Sequence, residues 1–275
     1  MPRYRVDFHG HCQGDPMDQL PHTAFQYVDR AVEQRLNAIA ITWHRKQFDM
    51  ADAVDYARER GILLIPGIET ELNGTCHTLV LNAPPGAVGP FSTVEDLRRL
   101  RQNPSILVIA PHPYYPLRNC LGRHIDEHPE LFDAVEWCHL HAPFLPKAIS
   151  PNEMARAWAN RHGKALIACS DAHTLDMVGC NASEVEADEL TTEAIFKGIR
   201  DGHVTFEEKA FSFNHLALAV WGVICDPPWA RRWTHPSDAS PTATSPAPAD
   251  AGVPASPGHS PNRADPRVAA PPTGL

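Results

Sequence analysis

An α/β barrel is the fold class that this sequence predicts, and two observations carry the prediction. From residue 4 to about 208, short apolar runs of strand length alternate with segments that have helical spacing. Most of those runs lead directly into residues able to ligate a metal ion. When parallel strands close into a barrel their C-terminal ends meet at one mouth, so ligand-type residues far apart in sequence converge there.

The elements follow in order. A strand over Tyr4 to His9 leads to a helix near Ala24 to Gln34, where Phe25, Val28, Ala31 and Val32 fall at helical spacing. A strand at Ala38 to Thr42 precedes a helix around Met50 to Arg60, which stops at Gly61, a residue suited to a helix C-terminus. Strands are expected at Ile62 to Ile65 and Thr78 to Leu81, then a helix from Thr93 to Arg101 capped by Ser92. Strands Ile106 to Ala110 and Ala134 to Cys138 come next. A helix from Asn152 to His162 ends at Gly163, a strand covers Ala165 to Ala168, and a last helix covers about Thr192 to Asp201.

Beyond the barrel the composition changes. Residues 209–234 include an apolar run, Leu216 to Cys225, too short to span a bilayer and expected to dock on the barrel. Residues 235–275 are rich in Pro, Ala, Ser and Thr; residues 236–275 hold 10 of the 27 prolines. Such a segment buries too little apolar surface to offset chain entropy and is expected to be a disordered tail.

Composition narrows the class. A 275-residue chain with 43% hydrophobic residues is ordinary for a soluble protein with a large core. No apolar leader stretch follows Met1, and the seven cysteines are odd in number without a Cys-x-x-Cys pair, which reads as a reduced, cytoplasmic protein with no membrane association. A formal charge of −9 with no basic cluster argues against stable nucleic-acid binding through a basic surface.

The chemistry lies in seven stretches: Asp7-Phe8-His9-Gly10-His11, Thr42-Trp43-His44, Gly67-Ile68-Glu69, Thr75-Cys76-His77, Pro111-His112-Pro113, Glu136-Trp137-Cys138-His139 and Ser170-Asp171-Ala172-His173. A His-x-His pair alone means little in a chain with 16 histidines. In a strand, however, residues i and i+2 share a face, so His9 with His11, or Asp171 with His173, can reach one ion. Imidazoles mixed with carboxylates suit Zn, Mn or Fe better than Ca or Mg.

In this order, His-x-His, Thr-x-His, Gly-x-Glu, His, Pro-His-Pro and Ser-Asp-x-His resemble the polymerase and histidinol phosphatase (PHP) family of metal-dependent phosphoesterases. The likeness covers about residues 4 to 208. It implies a distorted (β/α)7 TIM-like barrel carrying two or three Zn, Mn or Fe ions. By position, His9, His11, Glu69 and Asp171 would hold one ion, and Glu69 would bridge to a second on His77 and His112. His44 and His173 would hold a third. Two departures stand out: Trp43 replaces a small acidic residue, and the Cys12 to Pro16 segment is one residue short, with Asp15 the candidate for the remaining ligand.

The resemblance implies hydrolysis of a small phosphate ester, a phosphomonoester first, with hydroxide made available by the ions as nucleophile. Arg118 is the candidate phosphate anchor, because a guanidinium grips two oxygens at once. Tyr114, Tyr115, His139 and His141 are candidates for protonating the leaving group. Two alternatives remain: an amidohydrolase-type C–N hydrolase, disfavoured because no Lys sits at a strand end, and a degenerate barrel serving as an interaction module. Trp43 is expected to be a packed wall beside His44, with stacking against a substrate ring at the mouth as the alternative.

Overall fold

The computed structural model describes residues 1–210. The tail expected at 235–275 lies outside the described residues, as does all but the first two positions of the element expected at 209–234. Among the described residues, ten strands and five α-helices follow in the order β1 (Arg3–Asp7), α1 (Ala24–Glu33), β2 (Ala38–Ile41), α2 (Ala51–Glu59), β3 (Leu63–Leu72), β4 (Cys76–Leu81), β5 (Phe91–Ser92), α3 (Val94–Leu100), β6 (Leu107–Ala110), β7 (Ala134–Cys138), α4 (Pro151–His162), β8 (Ala165–Cys169), β9 (Ser183–Glu186), α5 (Thr192–Arg200) and β10 (Val204–Phe206).

They form one sheet in the order β10-β9-β1-β2-β3-β4-β6-β7-β8, with β5 beside β3. β1, β2 and β3 run parallel, as do β6, β7 and β8. The barrel is distorted because β4 is antiparallel to both β3 and β6. A hairpin there replaces one strand-helix-strand unit, so β3 is ten residues long rather than the four that its apolar run suggests. The sheet curls until the segments after β1 and β8 meet: His11 N–H donates to the Ala172 carbonyl (2.9 Å) and Ala172 N–H to that of His9 (3.3 Å).

Local sequence explains the helix ends. Thr23 caps α1 through a reciprocal pair of bonds with Gln26, and Thr93 does the same for α3 with Asp96. The expected cap, Ser92, instead ends β5 in register with Leu72. Gly163 takes the left-handed conformation (φ 60°) that stops α4.

Val6, Phe8, Ile65, Leu79, Ile109 and Ile167 fill the barrel interior together with Ile195, Phe196 and Ile199 of α5. Arg200, at the end of α5, bonds Asp133 and the Pro104 carbonyl, which precede β7 and β6. Helix α5 therefore lies across the end of the barrel opposite the strands' C-termini, leaving that other end for chemistry. No helix among the described residues is long and apolar enough to cross a membrane.

Candidate metal centre

Each expected ligand stands at the mouth, although not always on a strand. β1 ends at Asp7, so His9 and His11 lie on the extension that joins Ala172 rather than within the strand. His44 follows β2 and bridges to Glu69 of β3. His77 reaches the mouth because β4 runs in the opposite sense and presents its N-terminal end there. His112 follows β6; Asp171 and His173 follow β8. His112 (φ 30°) and Asp171 (φ 50°) both occupy the left-handed region, an uncommon and costly conformation for residues with a Cβ. Strain of this kind at two members of one cluster is what a site that must aim its side chains displays.

Glu69 is the hub. Its Oε2 lies 3.4 Å from Nε2 of His9, 3.4 Å from Nε2 of His11 and 3.1 Å from Nε2 of His44. Its Oε1 lies 2.6 Å from Nδ1 of His77 and 3.4 Å from Nε2 of His112. Asp171 Oδ1 adds contacts to Nε2 of His9 (3.3 Å), Nε2 of His11 (3.5 Å) and Nδ1 of His173 (3.5 Å). Burial alone would raise the carboxyls of Glu69 and Asp171. The imidazoles, His77 and His9 first for Glu69 and His9 first for Asp171, instead hold both well below the usual carboxylate range.

This donor set fits divalent ions. The ligand atoms fall into overlapping groups within 4.8 Å, among them His9–His11–Asp171, His9–Glu69–His112, His44–Glu69–His77 and His11–His44–His173. His11 Nε2 is buried with no hydrogen bond, although two carboxylates face it. A buried nitrogen left without a hydrogen bond is costly, and a cation placed among these lone pairs removes the cost. No thiol joins any of these groups.

Groups behind the ligands fix the rings. Asp15 Oδ2 accepts from the His44 backbone N–H (2.9 Å) and lies 2.9 and 3.0 Å from Nδ1 of His11 and His44, while Oδ1 accepts from the N–H groups of Met17 and Asp18. Its carboxyl is held low by His11 and His44 against the effect of burial. Both oxygens of Asp15 are thus engaged in holding rings and loop, and Asp15 also falls with Asp18 and His44 in a group whose ligand atoms lie within 4.8 Å, the position expected of a ligand to the third ion. Asp18, which sequence reasoning passed over, faces the mouth, with Oδ2 3.1 Å from Nε2 of His173 and 3.4 Å from Nδ1 of His44. Glu136 was visible only as part of a motif; it lies 3.2 Å from Nδ1 of His9 and accepts from the His112 N–H at 2.6 Å. Cys120 Sγ sits 3.2 Å from Nδ1 of His112.

A half-open cavity of about 160 Å³ lies over this cluster, lined by ligand residues and Asp18 together with Tyr115, Leu117, Asn119, Cys138 and Leu140. Arg118, His139 and His141 are not in the lining. Arg118 is exposed between Leu117 and Asn119. His139 is half-buried beside Cys138, with burial holding its pKa down, and His141 is buried against the Trp137 ring. Of the four candidate acids only Tyr115 reaches the cavity wall, and its hydroxyl donates to the Leu140 carbonyl at 2.8 Å. Trp43 is a packed wall: it is 2% exposed, lies against Phe48 and under Lys46, and fills the space behind Gly14.

Fold and site together define a TIM-like α/β barrel whose mouth gathers several overlapping groups of candidate metal ligands. Within that class, residues 150–204 match the family model described as PHP-associated, a stretch that includes Asp171 and His173. Solved structures agree on the fold. A two-domain Bacteroides vulgatus protein containing a predicted PHP-like metal-dependent phosphoesterase is 18% identical, with TM-score 0.57 over 75% of this chain and 65% of that one. An amidohydrolase from Chromobacterium violaceum, solved with bound sulfate and no metal, is 16% identical (TM-score 0.52; 73% of this chain, 97% of that one). The lesion-specific endonuclease of Pyrococcus furiosus is 15% identical (TM-score 0.51; 80% and 66%). This chain therefore spans less than two thirds of the Bacteroides protein's length. A search of the curated proteins found no match.

Proposed function

We propose that the protein is a metal-dependent phosphoesterase that hydrolyses a small phosphate ester, a monoester first, at a di- or trinuclear centre of Zn, Mn or Fe. The observation that carries this reading is the single Glu69 carboxylate set among five imidazoles, one oxygen toward each group of ligands. His9, His11, Glu69 and Asp171 would hold one ion, Glu69, His77 and His112 a second, and His44 and His173 a third. When bound, such ions supply Lewis acidity toward phosphoryl oxygens and lower the pKa of water.

The chain's own residues provide positioning. Asp15 and Glu136 lock three imidazoles through their second ring nitrogens, so that the opposite nitrogens converge. Tyr115 and Leu140, joined by a hydrogen bond, screen one flank of the mouth from water. Arg118 would need to swing inward to anchor phosphate, and His139, whose pKa burial lowers, would need to reach the cavity to take part in proton transfer. The fold is shared with an amidohydrolase and a DNA endonuclease, so it does not by itself choose the substrate. Two features favour a small phosphate ester: a cavity of only about 160 Å³ and a lining without the lysine that a carboxylated-lysine centre requires.

The test is elemental analysis of protein purified without chelator, followed by a phosphate-ester panel on Mn- or Zn-loaded protein. Two to three ions and turnover of at least one small ester are expected. Fewer than one ion per chain, with no gain on adding metal, would sink the reading.

A further inference from the structure

We infer that the substrate of this site is a phosphate ester whose group beyond the phosphoryl is apolar and uncharged, selected by a wall formed by Tyr115, Leu117 and Leu140. The inference rests on the phosphate-ester reading above and adds a substrate class to it.

Charge is the first support. The cavity lining contains Asp18, Glu69 and Asp171 and no Lys or Arg. Two or three divalent ions among three carboxylates leave a local charge of roughly +1 to +3, and one phosphoryl dianion brings that to roughly −1 to +1, so little positive charge is left for a second anionic group. A second phosphoryl group or a carboxylate on the substrate would find no Lys or Arg in the lining, the exposed Arg118 standing outside it and being taken up by the first phosphoryl group if it swings inward, and burying an unpaired charge is unfavourable.

Shape is the second. About 160 Å³ admits a phosphoryl group and a few further atoms, so the rest of the ester must leave across the rim. Both aliphatic side chains of the lining are accessible from outside: Leu117 is 38% exposed and Leu140 is half-buried. The Tyr115 hydroxyl is committed to the Leu140 carbonyl. That bond ties the segment after β6 to the segment after β7 and presents the Tyr115 ring, rather than its polar tip, to whatever lies there. An exposed leucine gains by covering an apolar substituent and gains nothing from a charged one.

A matched set of non-hydrolysable probes on the full-length, Mn-loaded chain reads this without turnover: methylphosphonate, butylphosphonate and 4-phosphonobutyrate, titrated calorimetrically. Butylphosphonate is expected to bind about tenfold more tightly than 4-phosphonobutyrate, the change that goes with removing roughly two methylenes from water. Leu117→Ala and Leu140→Ala should each shrink that preference about threefold while methylphosphonate affinity, which reports the metal centre and the fold, stays within twofold. Equal or tighter binding of 4-phosphonobutyrate, or a preference indifferent to both variants, overturns the wall while leaving the phosphate-ester reading standing. Failure of all three probes to bind overturns both. The expected preference without hydrolysis of any matching ester leaves the wall in place and removes the proposed catalysis.

Discussion

The carboxylate of Glu136 lies 3.2 Å from Nδ1 of His9, and neither side chain is exposed to solvent. The same carboxylate accepts the backbone N–H of His112 at 2.6 Å. One buried acid thus sets the ring orientation of one candidate ligand and the backbone of another, whose φ of 30° is strained. Partners of this kind fix which nitrogen of a histidine faces the ion. Glu136→Gln keeps the volume and one acceptor but loses the charge beside His9. Metal affinity is expected to fall about 10- to 100-fold, the range typical for such partners, measured by competition with a chromophoric chelator. An unchanged affinity would show that Glu136 is only a buried acid satisfied by its neighbours.

His11→Ala and Asp171→Asn should each abolish phosphate-ester hydrolysis and lower the ion count, because both residues stand in the same ligand group as His9. The fold should survive, since the strands beneath the mouth carry the apolar packing. Circular dichroism beside elemental analysis separates the two effects. Full turnover in either variant would show that the ligand assignment is wrong.

Much of this site was legible in the sequence because ligand-type residues followed apolar runs, and barrel topology alone brings such positions together. All of His9, His11, His44, Glu69, His77, His112, Asp171 and His173 reach the mouth. What the sequence hid was set by loop geometry. Asp15 and Asp18 are both short acids in one irregular segment, and only the path of that segment turns Asp15 toward ring nitrogens behind the cluster and Asp18 toward the mouth. The hairpin of β3 and β4 was hidden for a related reason. Glu69, Thr70 and Glu71 interrupt the apolar run, yet each pairs in register with β4, because their backbones need partners whatever their side chains do. β9 and β10 escaped notice because Ser183–Glu186 and Val204–Phe206 are too short to show a period.

Trp43 departs from the pattern of the family that the motifs resemble, and its packing suggests a stability test. Its ring is enclosed by Phe48 and by the backbone at Gly14, where even an added Cβ would come within 2.7 Å of it. Trp43→Asp would replace that packing with a cavity and a buried carboxylate. A loss of about 3 kcal/mol or more in urea unfolding is expected, with relative rates on different esters unchanged. If stability holds and only aromatic phosphates lose affinity, the ring contacts substrate instead.

The last prediction concerns the opposite end of the barrel. Asp133 is 3% exposed and precedes β7. Its Oδ1 accepts from Arg101 (2.7 Å), just past α3, and from Arg200 (2.9 Å), which ends α5, while Oδ2 accepts from the Val108 N–H (2.9 Å) in β6. One carboxylate thus joins two helices and a strand, and its removal leaves two guanidiniums and a buried N–H without their shared acceptor. Breaking a buried pair in this way costs on the order of 3 to 5 kcal/mol; the two arginine side chains, 23% and 27% exposed, recover part of that from water, so about 3 kcal/mol is expected for Asp133→Ala. Because none of these groups touches the mouth, ion content and ester turnover measured well below the lowered melting temperature should match the parent protein. A variant that unfolds no more easily, or that loses its ions while still folded, would contradict the separation of stabilising and chemical ends on which the reading of this barrel depends.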